Sequence, residues 1–405
     1  MKAIFKEMAG GVCAAAGFEA AGVVAGIKSA GGPSGGKDIA LLCSVVPAAC
    51  AGVFTTNAVK AAPVVLNLER IVAGKARAVV INAGNANCMT GRQGYKDAVA
   101  MTALVAQLLS VEPAEVLVCS TGIIGQFLPM AKITRGVRKA VRTLSPQGNG
   151  DAAQAIMTTD THPKEAAVEF EIDGKKVRIG GMAKGVGMLS PRLATMLAFI
   201  TTDAALPAKV LQSCLKKAVR RSFNAVTVDG DMSTNDTVLL LANGAAGVTP
   251  KGQGLQLFQQ GLNLVAERLA TLLVKDGEGA TKFIIVTVAG APSDRQAEKV
   301  ARAVANSPLV KSAVHGADPN WGRVLVAAGG VGVKFDGAKA DVAIGGIPML
   351  RRGEPTKFSP AKAHQALSAK EVEIALNLRA GPGQATIYTC DLSEEYVTFN
   401  ADYHT

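Results

Sequence analysis

Thr195 stands where a single residue can supply both a nucleophile and its base. The stretch from Lys184 to Ala205 reads KGVGMLSPRLATMLAFITTDAA: a glycine-containing approach, a threonine, then an apolar run. A hydroxyl attacks a carbonyl poorly until a base takes its proton. A free α-amino group, with a pKa of about 7.7 to 8.0, suits that task near neutral pH. If the bond between Ala194 and Thr195 is cut, Thr195 carries such an amine beside its own hydroxyl. The cut needs no protease, because attack of the Thr195 hydroxyl on the Ala194 carbonyl gives an ester by N-to-O acyl shift, and water opens it. Gly185 and Gly187 permit tight backbone ahead of the junction, and Ala194 is small enough to let the hydroxyl approach. The same residues also have a plainer reading, since Met196 to Ile200 is an apolar run of the kind any buried strand shows.

Other chemistry finds less support. The four histidines, His162, His315, His364 and His404, show no i, i+4 pair and none is paired with a cysteine, so no metal site is expected. Seven cysteines at 13, 43, 50, 88, 119, 214 and 390 match neither ligand pairs nor a disulfide framework, which points to a reducing, cytoplasmic setting. Gly31 to Lys37 has the spacing of a phosphate-binding loop up to its lysine, but Asp38 replaces the hydroxyl residue and a strand follows where a helix should. Gly32 to Gly36 fits G-x-S-x-G without the strand and helix that a nucleophile elbow requires.

Whatever Thr195 does must be positioned by a sizeable core. The 405 residues are 49% hydrophobic and only 4% aromatic, enough for two or three domains with aliphatic interiors. No apolar window reaches the ~18 residues of a membrane span, and Lys6 and Glu7 interrupt any signal-peptide pattern, so neither membrane nor export is expected. The net charge of +11 is dispersed, aromatic stacking residues are scarce, and no nucleic-acid module is present. IALLCSVV, ARAVVINAG, AEVLVCSTG, TVLLLANG, KFIIVTVAG, DVAIGG and ATIYTCDL read as strands. Helical periodicity covers 94–109, 133–144, 207–222, 254–275 and 293–307, and SPQGNGD at 145–151 reads as a polar break. The expectation is an α+β fold of layered sheets and helices.

Thr195 and its surroundings resemble the ornithine acetyltransferases, the ArgJ family of glutamate N-acetyltransferases in arginine biosynthesis. The matching blocks run in order along the chain: GFEAAGVVAGIK, KDIALL, GVFTTNAVKAAPV, INAGNANCMTG, STGIIGQFLPM, IMTTDTHPK, GGMAKGVGML, ATMLAFITTDA, FNAVTVDGDMSTNDT, VKDGEGATKF, HGADPNWGRV and YVTFNADYHT. The resemblance implies an α/β/β/α sandwich, shared with the DmpA type of aminopeptidase, and self-cleavage before Thr195. The products would be an α chain of residues 1–194 and a β chain of 195–405, associated as an α2β2 heterotetramer. It implies ping-pong transfer of acetyl from N2-acetylornithine to L-glutamate through an acetyl-Thr195 enzyme. No cofactor is implied, though some members take acetyl-CoA as co-substrate.

The resemblance also implies roles position by position. The hydroxyl of Thr121 and the backbone N–H of Gly122 would form the oxyanion hole, a preset donor pair of a kind whose loss raises a barrier by ~2.7 to 4 kcal/mol. Read without it, Ser120 to Gly122 is a strand-ending turn. Lys184 would bind a substrate carboxylate, against the plainer reading of a surface lysine. Glu278 would accept from an ammonium group, and Asn400 and the terminal Thr405 would complete the site. Of the threonines at 158, 159 and 161, Thr158 is taken as the pocket residue. Two other readings stay open: an amidohydrolase or aminopeptidase using the same threonine, and a non-catalytic binding protein on this scaffold.

Overall fold

The computed structural model describes residues 4–28, 35–188 and 196–402. They form two compact units, one from the start to Asn224 plus Asp231 to Leu273, the other from Ala225 to Gly230 plus Val274 onward. The junction at 194/195 falls within the first unit's stretch of chain.

The first unit is built on one sheet with nine strands among the described residues. They are β1 (Lys6–Glu7), β2 (Phe18–Val23), β3 (Ile39–Phe54), β4 (Lys75–Asn85), β5 (Val116–Ile123), β6 (Lys164–Ile172), β7 (Lys175–Lys184), β8 (Leu197–Thr202) and β9 (Thr237–Ala242). Their order is β1-β6-β7-β8-β9-β3-β4-β5, with β2 also on β3. β3 explains the shape. Its first half pairs with β2 and β4, its second with β9. Between Cys43 and Ala48 its register with β4 shifts while Val45, Val46 and Pro47 turn outward. The sequence pattern ends this strand near Val46. The chain instead runs on through Pro47, because a bulge is where a residue without an N–H costs no ladder bond.

Strand residues alternate between two cores, as a sheet buried on both faces requires. Ala40, Leu42, Val79, Ile81, Leu117 and Cys119 share an inner core with Met182, Leu197, Phe199, Leu239 and Leu241 from the far half of the sheet. Helix α4, defined below, adds Ala152, Ala153 and Ala155 to it. Ile39, Leu41, Ala78, Val80, Val116 and Val118 face the other way. There they meet α1 (Ala62–Arg70), α2 (Gly91–Leu109) and α3 (Met130–Arg142). α4 (Asn149–Ala155) begins inside the expected polar break at 145–151. α5 (Ala208–Arg221) and α6 (Gly252–Lys275) cover the remaining face, where Gly261 approaches the Phe170 ring and Leu269 approaches Gly181. The result is the expected layered α+β sandwich.

The second unit holds β10 (Phe283–Ala291), β11 (Asp341–Ile344), β12 (Ile347–Arg351), β13 (Glu354–Pro355), β14 (Glu371–Asn377) and β15 (Gly383–Cys390) in the order β13-β12-β11-β14-β10-β15. One face packs Val286, Val288, Ile374 and Leu376 against α7 (Asp294–Asn306), α8 (Pro308–His315), α9 (Trp321–Gly329) and α10 (Pro360–Leu367). α11 (Glu394–Asp402) follows.

Every helix and strand expected from periodicity is present, with ends moved by a few residues except in β3, which runs on to Phe54. The hairpin of β6 and β7 is an addition. The glycine-rich segment is described only from Gly35, and it enters β3 through the buried Asp38, so a strand does follow it. No described helix is long and apolar enough to cross a membrane.

Candidate active site

β7 and β8 run antiparallel with Lys184 opposite Leu197, two residues beyond Thr195 in the chain. Thr195 and Ala194 themselves lie outside the described residues, as does Thr405. Lys184 is 2% exposed. Its Nζ donates to Thr158 Oγ1 at 2.6 Å and to Thr121 Oγ1 at 3.2 Å, and stands 3.9 Å from Asp160 Oδ2. So the surface-lysine reading fails, and a buried ammonium needs a partner.

That partner is Asp160, which has no exposed surface on its side chain. Its Oδ1 accepts from Lys164 Nζ at 2.7 Å and from the Gly185 amide at 2.9 Å, and its Oδ2 accepts from the Thr158 amide at 3.1 Å. Burial alone would raise its pKa; the charge of Lys184, then Lys164 and the hydrogen bonds, outweigh it and hold the carboxyl at about 2. Lys28 stands at the same end of the unit. It donates to the Met157 carbonyl at 2.9 Å, and Asp38 accepts the amides of Ala25, Ile27 and Lys28. Burial brings Lys28 down to about 8, with Asp38 pulling upward, Lys184 pressing downward and Asp160 pulling upward.

Thr121 and Gly122 lie within β5 rather than in a turn after it. Gly122 has φ +129°, and a Cβ there would sit 2.3 Å from the Gly84 carbonyl carbon and 2.5 Å from the Asn85 nitrogen, all backbone. Only glycine fits. The register of β4 with β5 breaks at this point, since Asn85 opposes both Thr121 and Ile123. An amide network holds the irregular backbone. Asn235 donates to the carbonyls of Ala86 and Ser120 at 2.7 and 2.8 Å; Ser120 donates to Asn82, which donates to the Asn85 carbonyl. Next to Asn235, Asp236 accepts the Met196 amide at 3.0 Å, so the first described residue after the junction is fixed from the same loop.

In the second unit, Asn400 of α11 donates to Glu278 Oε2 at 3.1 Å, and Ser393 donates to the Gly279 carbonyl at 2.6 Å. Asp391 braces the same turn by accepting from Thr281 and from the Lys282 amide, and His315 Nδ1 is 2.7 Å from it.

The sequence profile of the ArgJ family matches residues 19–405. The chain belongs to the ArgJ family. An arginine biosynthesis bifunctional protein ArgJ from Symbiobacterium thermophilum is 52% identical over 401 residues, covering 98% of this chain and 99% of that protein. The crystal structure of an ArgJ from Bacillus halodurans is 43% identical with a TM-score of 0.49, covering 51% of this chain and 98% of its own. An ornithine acetyltransferase from Mycobacterium tuberculosis, solved with ornithine, is 42% identical with a TM-score of 0.43, covering 48% of this chain and 100% of its own. Membership makes this chain an acyltransferase of arginine biosynthesis.

Of the residues expected from the ArgJ resemblance, the structure brings Thr121, Gly122, Thr158 and Lys184 into one cluster of the first unit, and Glu278 and Asn400 together in the second. Thr161 is bonded to its neighbour His162, at 2.9 Å. Asp160, Lys164, Asn235, Asp236 and Lys28 had no assigned role. All lie in or beside the quoted ArgJ blocks, and the one signal available was an acid next to threonines in TTDTHPK and STNDT.

Proposed function

We propose that this chain cuts itself between Ala194 and Thr195 and then moves an acetyl group from N2-acetylornithine to L-glutamate through an acetyl-Thr195 enzyme. The observation that carries the reading is the bonding of Lys184 to both Thr121 and Thr158 on the strand facing Leu197. One cation thereby links the candidate oxyanion hole, the candidate substrate threonine and the strand that Thr195 leads into. The α-amine of Thr195 takes the hydroxyl proton; Oγ attacks the acetyl carbonyl; the Thr121 hydroxyl and the Gly122 N–H meet the oxyanion. The amine leaves as ornithine. Glutamate then attacks the ester and departs as N-acetylglutamate. Lys184 and Thr158 bind the common α-carboxylate end, and the roles of Glu278, Asn400 and Thr405 toward the amino acid are those the family resemblance implies. Acetyl-CoA loading the same threonine would be a second activity, in keeping with the word bifunctional in the relatives' names.

The sheet supports cleavage without dissociation. β8 would open the 195–405 fragment, and it lies between β7 of the first fragment and β9 of its own, bonded along both edges. Fragments that share an interior strand stay joined, as a first step to an α2β2 assembly. Intact-mass analysis tests the proposal: two fragments divided at 194/195, the second gaining one acetyl group on exposure to N-acetylornithine and losing it to glutamate. Thr195→Ala should stay uncut and transfer nothing; turnover by that variant would end the proposal. Release of free acetate faster than acetylglutamate would favour a hydrolase.

A further inference from the structure

Asp236 is held with more care than a loop residue needs. Its own carbonyl accepts from Thr55 N at 3.0 Å, its neighbour Asn235 is pinned to the carbonyls of Ala86 and Ser120, and its Oδ1 takes the Met196 amide at 3.0 Å. Among the described residues its buried Oδ2 meets no donor at full hydrogen-bonding geometry. An acid oxygen short of well-formed hydrogen bonds in an interior costs about 1 to 3 kcal/mol, which folds tolerate where the atom has work to do. Burial pushes this carboxyl well above the ordinary aspartate range, with the Met196 amide, the Ser233 hydroxyl and the Lys184 charge opposing it. It therefore holds a proton more readily than a free aspartate does.

Covalent geometry says where that proton can go. Met196 follows Thr195 through one peptide bond, so the Thr195 nitrogen lies within about 3.7 Å of the Met196 nitrogen in any conformation. An acid bonded to the second nitrogen is in the neighbourhood of the first, and the first is the leaving group of an N-to-O shift.

We infer that Asp236 is the acid–base group of self-cleavage, protonating the Thr195 nitrogen as its bond to Ala194 opens. The inference rests on the self-cleavage reading above. The bond from Thr195 Oγ to the Ala194 carbonyl carbon forms and the C–N bond breaks. Asp236 gives its proton to the departing nitrogen and recovers the one released by the hydroxyl. Precursor and ester are isomers, and the carboxyl ends as it began. Water then adds to the ester carbonyl, the Oγ–C bond breaks, and the products are the Ala194 carboxyl and a free Thr195 hydroxyl and amine.

The test follows conversion of the 41.4 kDa precursor during cell-free translation of the full chain. Asp236→Asn keeps an oxygen for the Met196 amide and removes the acid, and should be cut at least about 100-fold more slowly than wild type. Asp236→Glu keeps the acid and should be cut faster than the Asn variant. Melting of each product, followed by circular dichroism, separates lost chemistry from lost fold. Cutting of Asp236→Asn within about threefold of wild type overturns the inference, as does a well-folded Glu variant no faster than Asn. The wild-type chain gives an arm that does not depend on either variant folding. Its processing rate should stay level or fall from about pH 6.5 to 8.5, whereas a rate climbing about tenfold per pH unit means the hydroxyl ionises unaided and overturns the assignment. A wild-type chain that is never cut defeats the self-cleavage reading itself, an outcome distinct from normal cutting of Asp236→Asn.

Discussion

Replacing Asp160 by asparagine removes one charge and almost no volume, and it should be among the costliest substitutions in the chain. Asp160 is the carboxylate between Lys164 Nζ at 2.7 Å and Lys184 Nζ at 3.9 Å, and all three side chains are 2% exposed or less. Removing one partner of a buried ion pair costs about 3 to 5 kcal/mol, because the other charge stays desolvated. A second route gives a compatible figure. A folded pKa of about 2 against an unfolded value near 3.8 corresponds to roughly 2 to 3 kcal/mol of linked stability. The folded value is the depressed one, so this stability is present above about pH 4 and is lost as pH falls toward 2. The clean background is Thr195→Ala, which on the proposed self-cleavage keeps the chain in one piece. At about 2 to 4 °C per kcal/mol, Asp160→Asn should melt some 6 to 20 °C lower at pH 7. The gap between the two proteins should narrow between pH 4 and 2. Urea midpoints at several pH values provide the check. A deficit below about 1 kcal/mol at pH 7, or one that does not shrink with acid, would refute the role given to this ion cluster.

Other perturbations test the remaining parts. Gly122→Ala puts a methyl group into Gly84 and Asn85 backbone, so kcat should fall at least about 100-fold; Gly125→Ala, also at positive φ but with open space around it, should cost no more than about 1 kcal/mol of stability and little activity. A substrate carboxylate at about 100 times its Kd should stabilise the processed protein by about 2.7 kcal/mol in a thermal-shift assay, and Lys184→Met should abolish that shift. Ser393→Ala breaks the bond to the Gly279 carbonyl that ties α11 to the Glu278 turn, so KM for N-acetylornithine should rise about two- to tenfold with kcat nearly unchanged. An unchanged KM would separate α11 from substrate binding.

What could be read from the sequence follows a physical division. Long apolar runs such as ARAVVINAG announce strands because both faces of the first sheet are buried. The β6 and β7 hairpin escaped because its residues alternate charge with apolar side chains, KEAAVEFEI and KKVRIGGMAK, and only Asp173-Gly174 marks the turn. Both turn residues have positive φ, 53° and 73°, as a tight hairpin wants, so the signal was there in two letters. Gly122 reads from sequence as a turn glycine; the need for it comes from Gly84, 38 positions away, which no local pattern reveals. Thr121, Thr158 and Lys184 were reachable through the family resemblance, but their supports were not. Asp160 and Asp236 look like solvated acids among threonines until the fold buries them.

The cluster around Lys184 also has a charge balance that bears on what it can hold. Asp160 bonds Lys164 directly, while Lys184 stands off at 3.9 Å and donates to the hydroxyls of Thr121 and Thr158. Both ammonium groups and the carboxylate are almost closed off from water. Lys28, brought down to about 8 by burial, stands nearby with Asp38 pulling it upward and Lys184 pressing it downward. On the proposed function, the Lys184 ammonium is the group that would draw an anion to this cluster. That would suit the α-carboxylate that the proposed donor and acceptor have in common. The same proposal leaves the distinction between an ornithine and a glutamate side chain to other groups; within the second unit, Glu278 with its Asn400 partner has the charge to receive an ammonium.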